Sequence, residues 1–269
     1  MRIDFHTHGK LARELPFSPE YLEWLFSEAR AAGLDALCLT EHFNTLEFDR
    51  LYDYIQINYE RDGDCFIKNG LRIFPGMEID VAEGGHMTVL GSVESILKMN
   101  HNLELYKERG KFLPIKELSD MVKEYPVLFG AAHPFRKGSC IPELSDELLS
   151  KFDFIECNGE DIAFKGPSAK KEVQKFAEKL KLPVVAGSDA HQNFQYCCVY
   201  NSFEKRCRTV TELYSEIKRG AYGIVVSKDA ALRVHSATIL KRVLKEVHAL
   251  GGDYTSLLLR PVKEKSCSN

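Results

Sequence analysis

Asp4-Phe5-His6-Thr7-His8 is the stretch whose reading decides the fold. Written as an extended strand, its side chains leave alternately on opposite faces, so Asp4, His6 and His8 project to one side and Ile3, Phe5 and Thr7 to the other. Two imidazoles on one face can chelate a first-row metal ion, with a carboxylate beside them as a further ligand or as a group that orients a ring. A polar strand end fits the same five residues, and the rest of the chain decides between the two readings.

Downstream, Ser18 is placed to cap a helix with Pro19 at its first position. Leu22, Leu25, Phe26 and Ala29 fall at helical spacing, and Gly33 supplies the stop. Ala36-Leu37-Cys38-Leu39 then reads as a strand covered on both faces, ending in Thr40-Glu41-His42. The same order recurs. Apolar runs at 71–77, 127–132, 152–155 and 183–187 lead into Glu78, His133-Pro134, Glu156-Cys157-Asn158 and Ser188-Asp189-Ala190-His191, and a further strand opens at His86. Alternation of short strands with helical stretches predicts an α/β domain. Val173, Phe176, Ala177 and Leu180 form a stripe suited to the outside of a sheet. Thr209 with Glu212 reads as a capping box, and Gly220 closes that helix. Leu240, Val243, Leu244 and Val247 mark a long amphipathic helix ending at Gly251-Gly252. The expected division is therefore an α/β domain over 1–228, a C-terminal helix packed on it over 229–252, and a poorly ordered tail over 253–269.

A chain of 269 residues with 44% hydrophobic content can bury one large core, and no linker divides it. The net charge of -3 leaves no footprint for a membrane surface, and no basic stripe with interleaved aromatics marks nucleic-acid binding. An anionic substrate must be attracted locally. No apolar run is long enough to span a bilayer, and Met1-Arg2-Ile3-Asp4 enters a strand without a signal-peptide core, so a cytoplasmic chain is expected. Its 8 cysteines lack zinc-finger spacing and read as reduced thiols.

Of 9 histidines, His6, His8, His42, His133 and His191 stand at the C-terminal ends of predicted strands, and His86 opens one. In a parallel barrel those ends meet on one face, where active sites are assembled. One such histidine alone is usually a capping or core residue; the shared position argues for a common site. Nitrogen and oxygen ligands suit zinc, manganese or iron. Six imidazoles with Glu78 and Asp189 exceed what one catalytic zinc uses, so more than one ion is expected. Glu78 can bridge two ions about 3.5 to 4 Å apart.

As a set, Asp4-Phe5-His6-Thr7-His8, Thr40-Glu41-His42, Gly76-Met77-Glu78, His86, His133-Pro134 and Gly187-Ser188-Asp189-Ala190-His191 closely resemble the polymerase and histidinol phosphatase (PHP) superfamily. The resemblance implies a distorted seven-stranded β/α barrel, two or three divalent metal ions, and cleavage of phosphoesters. On it, His6, His8, Glu78 and Asp189 would hold one ion, Glu78, His86 and His133 a second, and His42 and His191 a third. Trinuclear members usually carry another histidine shortly after the His-x-His pair, where this chain reads Gly9-Lys10-Leu11-Ala12-Arg13. Glu41 replaces the more usual Asp before His42; His42 is taken as the ligand, and Glu41 and Asp4 as groups that support ligands.

The expected activity is hydrolysis of a small phosphomonoester by a hydroxide generated at the metals, with Asp189 orienting it or shuttling its proton. Arg136 is the candidate for gripping phosphate through its planar fork; Lys10 and Arg13 are weaker candidates for the same task. Glu156 and Asn158 are placed to line the pocket. Within the superfamily, a nucleotide or nucleic-acid phosphodiesterase and a protein-phosphotyrosine phosphatase are the alternatives. An amidohydrolase shares the His-x-His opening, and a catalytically silent metal-binding regulatory barrel is the alternative that is not an enzyme. Oligomeric state is not legible in the sequence.

Overall fold

Eleven strands follow one another along the chain in a computed structural model that describes residues 1–259. They are β1 (Arg2–Thr7), β2 (Ala36–Leu39), β3 (Glu60–Asp62), β4 (Cys65–Lys68), β5 (Leu71–Asp80), β6 (His86–Leu90), β7 (Leu128–Ala132), β8 (Phe154–Asn158), β9 (Val184–Gly187), β10 (Val199–Phe203) and β11 (Tyr222–Val226). Seven of them form the ring β1-β2-β5-β6-β7-β8-β9, which a parallel bridge between Thr7 and Ala190 closes. His8 N–H donates to Ala190 O at 2.9 Å and Asp189 N–H to His6 O at 2.8 Å across this seam. The sheet has more strands than the expected seven because the β3-β4 hairpin extends it from β5 and β10-β11 from β1.

Six ring strands are parallel. β6 runs against both neighbours, with Asp80 opposite His86 and His86 opposite Ala132. Its N-terminal end therefore lies at the same mouth as the C-terminal ends of the others, which is why a histidine that opens a strand joins histidines that end strands.

The first strand departs from simple alternation. Asp4 pairs with Leu37 and Thr7 with Leu39, so three steps on β1 match two on β2, a β-bulge that re-aims side chains. Phe5 packs on Phe154, ring centroids 5.9 Å apart, while His6 lies 3.1 Å from Glu156. Phe154 and Glu156 share a face of β8, so the consecutive residues Phe5 and His6 both reach the barrel interior. Ile3 and Phe5 belong to the inner cluster with Cys38, Phe74, Leu90 and Phe154, a correction to the opposite faces expected for Phe5 and His6.

That inner cluster includes Val210, Leu213 and Ile217 of the Val210–Arg219 helix, whose Thr209–Glu212 capping box is formed. The outer cluster packs helices on the ring. In Pro19–Ala31, Ser18 accepts from Tyr21 N–H, and Leu22, Leu25, Phe26 and Ala29 are buried. The C-terminal helix spans Ala230–Ala249 and packs across the Gly159–Lys165 helix and the Asn193–Gln195 turn, both at the mouth. In the segment expected as a tail, Tyr254–Leu259 is a short helix; residues 260–269 lie outside the described residues. Among the described residues no helix is long and apolar enough to cross a membrane, and the cysteines are free.

Candidate metal centre

Glu78, at the end of β5 and almost fully buried, is the hub of the mouth. Its Oε1 lies 2.9 Å from both His86 Nδ1 and His133 Nε2. Its Oε2 lies 3.1 Å from His42 Nδ1, 3.5 Å from His6 Nε2 and 3.6 Å from His8 Nε2. Asp189, on the loop after β9, places Oδ1 3.0 Å from His8 Nε2, 3.7 Å from His6 Nε2 and 3.9 Å from His191 Nε2. All eight residues expected as ligands thus come together. The ligand atoms cluster as His6-His8-Asp189, Glu78-His86-His133 and His8-His42-His191, with a further group, His6-His133-Glu156.

Charge sharpens this picture. Burial alone would neutralise Glu78, but His86, His6, His42 and His133 hold its carboxyl well below the usual range. Burial opposes protonation of His86, yet Glu78 and Asp80 lift its pKa to about 10. Burial likewise opposes protonation of His6, and Glu156, Glu78 and Asp189 outweigh it. Burial also works against ionised Glu41, which His8, His42 and Lys10 nonetheless hold at about 2. Glu41, Glu78, Asp80, Glu156 and Asp189 are all buried, and buried carboxylates at this density are costly without cations to balance them.

The residues present fit divalent metal. His6 Nε2, His8 Nδ1 and His42 Nδ1 are buried without a hydrogen-bond partner. The 3.5 to 3.7 Å gaps from His6 Nε2 to Glu78 and Asp189 are too long for hydrogen bonds. They are close to the separation of two ligands that each lie about 2.1 Å from one cation. His133 and Asp189 have φ of 28° and 59°, left-handed backbone that non-glycine residues rarely adopt and that clusters at functional sites.

Supporting groups are fixed from below. Asp4 Oδ1 accepts from His6 N–H at 3.1 Å and Ser188 N–H at 2.9 Å, and burial pushes its carboxyl up to about 7. Glu41 Oε2 accepts from Gly9 N–H at 3.0 Å, and its Oε1 lies 3.6 Å from His8 Nδ1. Both adjacent residues, Glu41 and His42, reach the centre because only an isolated bridge continues the strand there. Glu156 does more than line a pocket: Oε1 faces His6 Nδ1 at 3.1 Å and Oε2 accepts from His133 N–H at 2.9 Å.

Three sequence candidates stand differently from expectation. Arg136 donates from Nη1 to Asp189 Oδ2 at 2.9 Å and from Nη2 to Asn158 Oδ1 at 3.0 Å, with Glu160 at 3.3 Å, so two carboxylates already balance its charge. Lys10 is buried and donates to Thr45 Oγ1 and Leu46 O, which leaves it to tie loops together rather than to meet a substrate. Arg13 lies at the rim, 3.3 Å from Asp80 Oδ2. Asp80, Glu160, Gln195 and Lys241 were missed. Asp80 was legible as the residue two beyond Glu78, on the same strand face; no local pattern pointed to the other three. A 230 Å³ cavity opens on the centre, lined by His42, Glu78, His86, Arg136, Asp189 and Lys241 among others.

Residues 167–222 match the PHP-associated family. Over that segment the chain is similar to PHP-associated proteins. PsfC from Pseudomonas syringae PB-5123 shares the fold with a TM-score of 0.74 at 22% identity, over 90% of this chain and 98% of that one. The lesion-specific endonuclease PfuEndoQ from Pyrococcus furiosus aligns with a TM-score of 0.60 at 19% identity, over 83% of this chain. Endonuclease Q bound to a 27-mer duplex with an abasic lesion gives 0.61 at 18%, over 84%. This chain spans 57% and 58% of those two endonuclease chains. No curated protein matches.

Proposed function

We propose that this chain is a divalent-metal-dependent phosphoester hydrolase acting on a small phosphomonoester. The observation that carries the reading is Glu78, one buried carboxylate within 3.6 Å of five imidazoles, beside Asp189 in one small cavity. Ions held by His6, His8, Glu78 and Asp189, by Glu78, His86 and His133, and by His42 and His191 would acidify water and take up charge on phosphoryl oxygens. Zinc, manganese and iron all suit these donors, and four overlapping groups of candidate ligand atoms support a site for two or three ions.

The chain's own groups supply orientation. Asp189 is fixed from both sides, Oδ2 by Arg136 and Oδ1 by His8. Burial opposes its ionisation, but His6 and Arg136 keep its pKa well below the usual value, so it serves to orient a water rather than to carry its proton. His191 Nδ1–H donates to Lys10 O at 2.9 Å, and burial with the neighbouring His8 keeps it neutral, leaving Nε2 toward the centre. The C-terminal helix lines the cavity through Ala237, Thr238 and Lys241, which supports a small leaving group.

Metal analysis followed by turnover of p-nitrophenyl phosphate and bis-p-nitrophenyl phosphate with zinc, manganese or iron tests the reading. Bound metal with no turnover across a broad phosphoester panel would replace it with the silent metal-binding barrel.

A second reading, a nucleic-acid phosphodiesterase, is favoured by the fold shared with an endonuclease over most of this chain. The net charge and the lack of a basic stripe therefore do not exclude nucleic acid. Diester preference together with nicking of a duplex oligonucleotide would select this reading.

A further inference from the structure

The cavity over the centre receives two cationic side chains, and they are not equivalent. Arg136 is committed to Asp189, Asn158 and Glu160. Lys241, from the C-terminal helix, lines both the 230 Å³ cavity and a neighbouring one that reaches Arg13, His42, His86 and His191. Among the described residues its ammonium has no hydrogen-bond acceptor and no carboxylate within 4.0 Å. Lys245, one turn on, is paired with Glu14, and Arg13 with Asp80.

The helix is held so that this face points inward. Ala237, Thr238 and Lys241 fall at helical spacing and all three line the cavity. Val234 and Ala237 are buried beneath. Thr238 Oγ1 is turned back to Val234 O at 2.9 Å, leaving Lys241 as the donor that the helix offers. A half-buried ammonium with no carboxylate in direct contact beside a metal site is costly to maintain, and an anion entering the cavity would supply a contacting partner.

Resting on the phosphoesterase reading, we propose that Lys241 is the phosphate-recognition residue of the site, binding a terminal oxygen of a phosphomonoester and so favouring monoesters over diesters. Arg136, in contrast, positions Asp189. A compact ammonium with three rotatable donors suits a tetrahedral oxyanion approached from above the metals. The monoester dianion offers it a terminal oxygen that a diester lacks.

The test measures binding of inorganic phosphate to the metal-loaded protein by calorimetry, alongside turnover of the monoester and diester p-nitrophenyl substrates. Lys241→Met keeps the aliphatic stem and removes the charge. It is expected to weaken phosphate binding at least tenfold and to lower kcat/KM for the monoester, mainly through KM, far more than for the diester. Lys241→Arg is expected to restore part of both, and Lys245→Met to leave phosphate affinity unchanged. Circular dichroism and thermal melting confirm that each variant is folded. Unchanged phosphate affinity in Lys241→Met, or a wild-type protein that binds no phosphate, overturns the assignment. Failure of the wild type to hydrolyse any phosphoester instead overturns the phosphoesterase reading, while the phosphate titration still judges Lys241.

Discussion

Arg136 Nη1 donates to Asp189 Oδ2 at 2.9 Å while Asp189 Oδ1 faces His8 Nε2 at 3.0 Å, so one guanidinium sets the orientation of the carboxylate that His8 also meets. Arg136→Ala should therefore weaken metal binding as well as slow turnover, each by about 10- to 100-fold, the usual effect of losing a group that orients a ligand. Arg136→Lys should restore little, because a point charge cannot hold Asp189 and Asn158 at once. Chelator competition and steady-state rates check this; wild-type metal affinity in Arg136→Ala would show that Asp189 orients itself.

Glu78→Gln should be the most damaging single change at the centre. It keeps the shape but removes the charge that five imidazoles surround. Metal content measured by mass spectrometry should fall by at least one ion per chain, and activity on the order of 100-fold or more. Full metal occupancy in the variant would place the bridging role on another carboxylate.

Gly187 allows the closest approach in the site. A Cβ added there would lie 2.2 Å from Glu156 Oε1 and 2.4 Å from His6 Cβ. Gly187→Ala must push one of them aside, at about 1 to 3 kcal/mol of stability and with loss of the His6 geometry. Urea unfolding together with metal content measures both effects; a variant with wild-type values for both would mean that β9 shifts freely.

Away from the metals, Asp153 accepts Phe129 N–H through Oδ2 at 2.9 Å where β8 begins. Burial pushes its carboxyl above the ordinary range against this hydrogen bond and the charge of Lys218. A raised folded pKa means that the proton is held more tightly in the folded chain. The associated stability is fully present below about pH 4 and is lost as pH rises through the folded value. Asp153→Asn should therefore flatten the fall in unfolding free energy as pH rises above about 4, measured in urea with chelator present. Parallel pH profiles for variant and wild type would show that the group ionises freely.

Helix caps, buried apolar runs and strand-end polar clusters were legible because each depends on neighbours in sequence. Ser18, Leu22, Leu25, Phe26 and Ala29 do what their spacing requires, and His133 and Asp189 follow strands, with Glu78 near the end of another. The bulge between Asp4 and Thr7 was not legible, since a one-residue shift depends on how β1 registers against β2. Nor was the reversal of β6, which brings His86 to the mouth.

Taken alone, the amino-acid sequence determined the α/β alternation and the set of candidate nitrogen and oxygen donors, because periodicity and residue chemistry are local properties. Only the tertiary structure decided which partners those donors meet. It gave His6 both Glu156 and an inward neighbour, spent Lys10 on a loop and Arg136 on Asp189, and brought Lys241 over the mouth. Those choices depend on contacts between residues distant in the chain, where packing and charge balance select one pairing from many that the sequence permits.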